Sequence, residues 1–260
     1  MHENRNIALE SHLSHCDNVT TLGVKPNLED YSNEAIKLIQ NSKKIYYPSS
    51  FYAELFYLMG KETFPSPANY HFAQDKIKQT AIFKLLDIPH PRTRIYYGKH
   101  QKKSILDRFQ FPFIAKIPRG SAMGRGVFLI QNQTDLKDYL ALESPAYIQE
   151  YLPMDRDIRV VVIGKQIAHA YWRIAATGEF RSNVALGARI SLDTIPGPAR
   201  ELALQTAKMC HWNDVGIDIC SHQGNFYVLE ANMKYGKEGF RFAGIDYAAL
   251  MAHKIETGVI

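Results

Sequence analysis

The sequence predicts an α+β protein in which a short α/β unit precedes a longer part built on antiparallel hairpins. Strand-like and helix-like runs alternate from Ile7 to a break at Pro65–Asn69, the pattern of a small α/β unit. Further on, Ile158–Ile163 (IRVVVI) and Ile167–Trp172 (IAHAYW) bracket Gly164-Lys165-Gln166, a hairpin signal. A second hairpin is expected over Val215–Asn232 (VGIDICSHQGNFYVLEAN), where two apolar runs flank a glycine-bearing junction at His222–Asn225.

Taken in order, Ile7–Glu10 reads as a short strand and Leu28–Asn41 as a helix with an imperfect apolar stripe at Leu28, Ile36, Leu38 and Ile39. Lys44–Tyr47 reads as a strand ended by Pro48, and Phe51–Met59 as an aromatic-rich helix stopped near Gly60. Gln74–Leu86 carries Ile77, Ala81, Ile82, Leu85 and Leu86 at helical spacing, and Pro89 and Pro91 then force extended or turn geometry. Thr93–Tyr97, Phe113–Ile117 (FIAKI) and Gly126–Ile130 (GVFLI) are expected strands, Leu136–Leu142 a helix, and Ala146–Gln149 a strand. Pro198–Met209 is expected to be helical, with its proline near the start, and a last helix begins after Gly244-Ile245-Asp246.

An apolar share of 46% over 260 residues suffices for a sizeable core and more than one domain. No apolar run is long enough for a transmembrane helix, and the start (MHENRNIALESH) lacks the basic and apolar segments of a secretory signal. Cys16, Cys210 and Cys220 show neither CxxC spacing nor an even count, which favours buried thiols in a reducing compartment and a cytoplasmic location. The net charge of +5 is modest, and its basic run at Lys99–Arg108 comes with no nucleic-acid module. A positive cleft for an anionic ligand explains the excess as well as a nucleic-acid surface does.

The late hairpin carries the strongest chemical signal. Glu230 and Asn232 share a strand face, and Asp218 falls opposite them if the register centres near Gly224. Two carboxylates and an amide oxygen on one face form a hard-oxygen set suited to magnesium, normally completed by phosphate oxygens. Phosphate binding points to Lys116, a lysine among Phe113, Ile114, Ala115 and Ile117, directly before PRGSAMGRG at Pro118–Gly126. Its stem can pack while the ammonium meets an anion, and Gly120, Gly124 and Gly126 allow backbone amides close approach, with Ser121 adding a hydroxyl. The spacing is neither Walker A nor GxGxxG; it suits a flap over a triphosphate, the plainer reading being a hairpin with a long mobile tip.

These features in sequence resemble the RimK-type branch of the ATP-grasp carboxylate–amine ligases. The resemblance runs from about Asn69 to the C-terminus through Asp75-Lys76, Lys116 and its glycine loop, Gln149-Glu150-Tyr151, Asp157-Ile158-Arg159, Val160–Lys165, GEFRSN at Gly178–Asn183, GID at Gly216–Asp218 and LEAN at Leu229–Asn232. It implies a pre-ATP-grasp-like unit over residues 1–73, an N-terminal lobe with the glycine loop over 74–147, and a C-terminal lobe with the metal hairpin over 148–260. It further implies two lobes clasping ATP with magnesium, two ions with manganese as a substitute, and amide formation through an acyl phosphate. The substrates it implies are a small-molecule or peptide carboxylate and amine, and a homo-oligomer is an open expectation.

By resemblance, Glu150 and Tyr151 form the hinge that meets adenine, Asp157 lies near the ribose, and Lys76 lies near the α-phosphate. Lys116, Ser121, Gly124 and Gly126 cover the phosphates. Arg181 and Asn183 approach the phosphates and metal, Arg173 approaches the transferring phosphoryl group or an acceptor carboxylate, and Asp218, Glu230 and Asn232 hold magnesium, Glu230 bridging two ions. Arg159 either reaches phosphate or holds Asp157; the plainer reading of Arg173 is a cap on a solvated sheet end. The pattern departs from the family after Asn232, where Met233-Lys234-Tyr235 replaces small turn residues. Lys234 and Lys237 there would recruit a carboxylate, or Tyr235 would narrow the site. A kinase-like use of the same grasp on a small anionic metabolite and a regulatory ATP-binding module stand as alternatives.

Overall fold

In a computed structural model, residues 6–120, 126–142, 145–182, 184 and 187–260 are described. The amino-terminal part runs β1 (Asn6–Ala8), β2 (Val19–Thr21), α1 (Asn33–Asn41), β3 (Lys44–Tyr46), α2 (Ser49–Leu58), β4 (Glu62–Phe64) and α3 (Pro67–Phe72). Its four strands form one parallel sheet in the order β2-β1-β3-β4. The helix expected over Leu28–Asn41 is split. Tyr31 is extended and Ser32 caps α1 by accepting from the Ala35 amide at 3.2 Å, leaving a separate 3₁₀ turn at Leu28–Asp30. Strands β2 and β4 escape a sequence reading because each is only three residues long.

Next come α4 (Lys76–Leu85), β5 (Thr93–Tyr96), α5 (Gly98–Lys102), β6 (Phe113–Lys116), β7 (Val127–Ile130), α6 (Gln133–Leu140) and β8 (Ala146–Glu150). Here the strands pair antiparallel in the order β5-β8-β6-β7. Parity sorts this sheet: Phe113, Ala115, Ala146 and Ile148 face a core closed by Leu136 and Tyr139 of α6, while Ile114, Lys116, Tyr147 and Gln149 face the other way.

The remaining elements are β9 (Arg156–Ile163), β10 (Gln166–Ile174), β11 (Arg189–Ser191), α7 (Gly197–Met209), β12 (Asp214–His222), β13 (Asn225–Asn232), α8 (Glu238–Phe242) and α9 (Tyr247–Glu256). They build an antiparallel sheet in the order β11-β10-β9-β12-β13. Ile158, Val160, Val162, Val215, Ile217 and Ile219 pack on α7 through Ala199, Ala203 and Ala207. On the opposite face, Val161 and Ile163 join Phe240, Met251 and Ile255 against the amino-terminal sheet, so that face is apolar at one end and polar at the other, beyond Arg159.

Helix α4 stitches the two antiparallel sheets together. Asp75 caps it by accepting from the Lys78 amide at 3.0 Å and pairs with Arg119 Nε at 2.9 Å, while the Lys76 amide donates to Pro118 O at 2.9 Å. One turn on, Gln79 imitates a neighbouring strand: its Nε2 donates to Ala231 O at 2.8 Å and its Oε1 accepts from Ala231 N at 3.0 Å. Val228 N donates to Pro89 O at 2.8 Å, so the outer edge of β13 is occupied at two points.

Candidate functional site

Between the two antiparallel sheets lies a cleft lined by Lys76, Lys116, Glu150, Tyr151, Asp157, Arg173, Arg181, Asp218, Glu230 and Asn232. All ten were singled out from the sequence. Ser121, Gly124 and Asn183 lie outside the described residues. Gly126 closes the loop base: its carbonyl accepts from Ile117 N at 2.7 Å, its φ is +74°, and a Cβ there would meet the Ile117 side chain at 2.9 Å. None of Lys99–Arg108 is among the lining residues, so that basic run does not account for the charge of the cleft.

A β-bulge sets the carboxylate pair. The hairpin leaves its turn with His222 opposite Asn225, Cys220 opposite Tyr227 and Ile219 opposite Val228. Continued without a break, that register brings Leu229 opposite Asp218 and turns Glu230 onto the core face beside Ile217. The shift between Asp218 and Ile219 leaves Leu229 as the extra residue and sets Asp218 opposite Glu230 and Gly216 opposite Asn232. Leu229 itself lines the cleft with Ile114, Val127, Leu152, Met154 and Phe180, an apolar slot beside the polar end.

At the polar end the carboxylates are partnered. Arg159 grips Asp218 through Nε to Oδ1 and through Nη2 to Oδ2 at 3.0 Å, and its Nη1 donates to Tyr235 O at 2.9 Å. Arg173 grips Asp157 with bonds of 2.7 and 2.6 Å and also reaches Asp218 Oδ2 at 3.0 Å. Thus Arg159 holds Asp218 rather than Asp157, and Arg173 is not a solvated cap: its side chain is 5% exposed, tying two strands' carboxylates together. Burial works to raise the Asp218 carboxyl, but Arg159 and Arg173 outweigh it and hold its pKa below the usual value. At Asp157 burial wins over Arg173, and the pKa is raised.

Glu230 Oε1 lies 3.1 Å from Lys76 Nζ, and Asn232 Nδ2 donates to Asp218 Oδ2 at 3.0 Å. Lys116 is buried on β6 with its ammonium 5.8 Å from the Tyr147 ring centroid. Burial drives its pKa down to about 8, against the attraction of Glu230. Arg181 is folded onto Glu179 through bonds of 2.9 and 2.7 Å, and hydrogen bonding from Arg181 lowers the Glu179 carboxyl to about 2. The Glu150 side chain turns to the Arg92 amide, and its own amide donates to Arg92 O at 2.9 Å.

Among the described residues no three His, Cys, Asp or Glu side chains cluster to hold a metal ion unaided. Two carboxylates and an amide oxygen nevertheless fit magnesium, which habitually takes one or two protein carboxylates and fills its octahedron with water and substrate phosphate. All three cysteines are free and buried.

The sequence reading passed over Tyr147, Ser182 and Gln79. Tyr147 sits two residues before Gln149 on the cleft face, with its hydroxyl 2.7 Å from Thr80 Oγ1, and its position on β8 was a usable signal. Ser182 lines the cleft with its buried hydroxyl unpartnered among the described residues. Much of the departure after Asn232 is anchoring: Tyr235 Oη donates to Asp214 Oδ1 at 2.7 Å and Lys237 lies over the Tyr247 ring at 4.3 Å, while Met233 and Lys234 line a cavity.

A cleft between two antiparallel sheets, with a lysine strand on one side and a carboxylate hairpin on the other, defines a nucleotide-grasping class of protein. Residues 73–255 match the RimK-like ATP-grasp domain family, and the chain belongs to that family. It is 29% identical over 192 residues to a ribosomal protein bS6–L-glutamate ligase of Escherichia fergusonii, an alignment covering 71% of this chain and 64% of that protein. A beta-citrylglutamate synthase B of Danio rerio is 30% identical over 175 residues, which is 64% of this chain and 43% of that one. The chain therefore spans under two thirds of these relatives' length. Among solved structures, the ATP-grasp ligase PsnB with minimal precursor, Mg and ADP superposes with a TM-score of 0.72 at 16% identity, covering 99% of this chain and 98% of that one. A RimK domain ATP-grasp protein of Sphaerobacter thermophilus gives 0.69 at 15% identity, covering 96% and 98%. The fold expected from the sequence is thereby the fold observed. Among the described residues no helix is long and apolar enough to cross a membrane.

Proposed function

We propose that this chain joins a carboxylate to an amine at the expense of ATP, through an acyl phosphate, with an amino acid or peptide as one substrate. The observation that carries it is the convergence, in a single cleft, of Lys76 and Lys116 with Asp218, Glu230 and Asn232. The apolar slot around Ile114, Leu152, Met154 and Leu229 suits adenine, with the Glu150–Tyr151 backbone at its edge and Asp157 toward the ribose. Lys116 and Lys76 meet the phosphates; a phosphate beside Lys116 restores the full charge that burial weakens. Arg173, fixed by Asp157 and Asp218, holds those two carboxylates in place and offers cationic charge to the transferring group.

Asp218, Glu230 and Asn232 would hold magnesium, which supplies Lewis-acid polarisation of the phosphoryl oxygens. Four basic and four acidic side chains line the cleft, so the protein alone leaves a triphosphate unneutralised. Two divalent ions would balance the about four negative charges of an ionised triphosphate, which supports a two-ion site. In the first step a carboxylate oxygen attacks the γ-phosphorus and ADP leaves. In the second, a neutral amine attacks the acyl carbon, a C–N bond forms, and the C–O bond breaks with its electrons going to phosphate, which takes one amine proton while the other stays on the amide nitrogen. A closed cleft keeps water from the acyl phosphate.

A phosphate-release screen over pooled carboxylates and amines, with product masses, tests this. An amide with stoichiometric ADP and phosphate supports ligation. A stable phosphorylated product without free phosphate replaces it with the kinase reading, and nucleotide binding without turnover replaces it with the regulatory module.

A further inference from the structure

A second cavity, of about 330 Å³, opens beside the nucleotide cleft and shares Glu230 and Asn232 with it. Its far wall comes from the amino-terminal unit, through Glu10, His12, Tyr47 and Tyr70. His12 is fixed there: its ring stacks on Tyr47 with centroids 4.5 Å apart and planes 7° from parallel, and its Nδ1 lies 3.1 Å from Glu10 Oε2. The Tyr70 hydroxyl is buried with no hydrogen-bond partner among the described residues. Lys234 lines the near wall, two residues beyond Asn232. The cavity thus has a lysine beside the hairpin and a carboxylate with hydrogen-bonding aromatics at the other end.

We infer that this cavity takes the amine substrate as a free amino acid that carries a cationic side chain, and that it selects against glutamate. The inference rests on the ligase reading and deepens it. An amino acid needs a cation for its α-carboxylate, and Lys234 supplies one without crossing the cavity. The far group of the substrate then meets Glu10, whose Oε2 is committed to His12 while Oε1 remains an acceptor. A carboxylate can only accept, so a guanidinium or ammonium gains hydrogen bonds and charge there. A glutamate side chain would bring a second carboxylate against Glu10, and like charges in a partly buried cavity repel. Glu230 does not change this balance, since Lys76 lies 3.1 Å from it.

The test is calorimetric titration of arginine, lysine, ornithine, glutamine and glutamate into the protein holding magnesium and a non-hydrolysable ATP analogue. At least one basic amino acid should bind about tenfold or more tightly than glutamate. Glu10→Gln, nearly isosteric, should cut that preference about tenfold, and Glu10→Lys should turn it toward glutamate, with circular dichroism confirming that each variant is folded. Glutamate binding as tightly as the basic set in the wild type, or none of the five binding, overturns the inference without any variant; so does an unchanged preference in Glu10→Gln. Turnover is not read here. A protein that binds arginine yet forms no amide would therefore sink the ligase reading and leave the selectivity standing.

Discussion

Replacing Asp214 by asparagine should make the protein relatively more stable at neutral pH than at acidic pH. Asp214 is 3% exposed at the start of β12, where its two oxygens accept from Tyr47 Oη and Tyr235 Oη, each at 2.7 Å. Burial pushes its carboxyl from the ordinary 3.8 up to about 6, although both hydroxyls oppose the shift. Between those pH values the folded chain keeps the proton and the unfolded chain releases it. Stability from this group is therefore fully present below 3.8 and falls as pH rises, until nothing more is lost above about 6. The gap corresponds to roughly 3 kcal/mol. Asparagine is neutral throughout and can accept from one tyrosine while donating to the other. In urea unfolding at pH 4 and pH 7.5, the variant should gain roughly 2–3 kcal/mol on the wild type between the two conditions. A difference that stays constant within about 0.5 kcal/mol would refute the idea that a buried, proton-sharing carboxyl joins the amino-terminal unit to the late sheet.

Three other outcomes are expected. Glu230→Gln should leave the fold intact, as judged by circular dichroism, and lower magnesium-dependent ATP turnover about a hundredfold or more; a rate near that of the wild type removes Glu230 from the metal set. Lys116→Met, which keeps the packed stem and deletes the cation, should weaken ATP binding about tenfold or more by titration, whereas unchanged affinity would place the phosphates elsewhere. Gly216→Ala should destabilise by about 1–3 kcal/mol in thermal or urea unfolding, because the added Cβ would sit 2.5 Å from Tyr235 Cβ and 3.0 Å from Arg159 Cδ, and hydrogen bonds pin both side chains.

How far the site could be read in advance depended on the range of the interactions involved. Lys116 was legible because a lone cation in an apolar strand is locally anomalous, and Glu230 and Asn232 because strand parity puts them together. The bulge at Leu229 was not legible: whether Asp218 meets Glu230 or Leu229 turns on one residue of register that composition does not fix. The partners of the arginines were hidden for a related reason, since Arg159 crosses to β12 and Arg173 to β9, choices made by sheet order. Gln79 stands outside the apolar positions of its helix, and its partner Ala231 lies 152 positions along the chain. Glu10 was read as the end of a short strand and His12 lies in the polar stretch after it, and their meaning appears only when the amino-terminal sheet is laid against the late one. Short strands such as β11 and β4 were lost because three residues carry too little pattern to read.

Helix α4 holds the glycine loop's root at Asp75 and Lys76 and the ligand strand at Gln79, within a turn and a half of one rod. Those fasteners lie along one short helix, so the distance from the root of the glycine loop to the ligand strand, and with it the place of Lys76 beside Glu230, is set by a single rigid element.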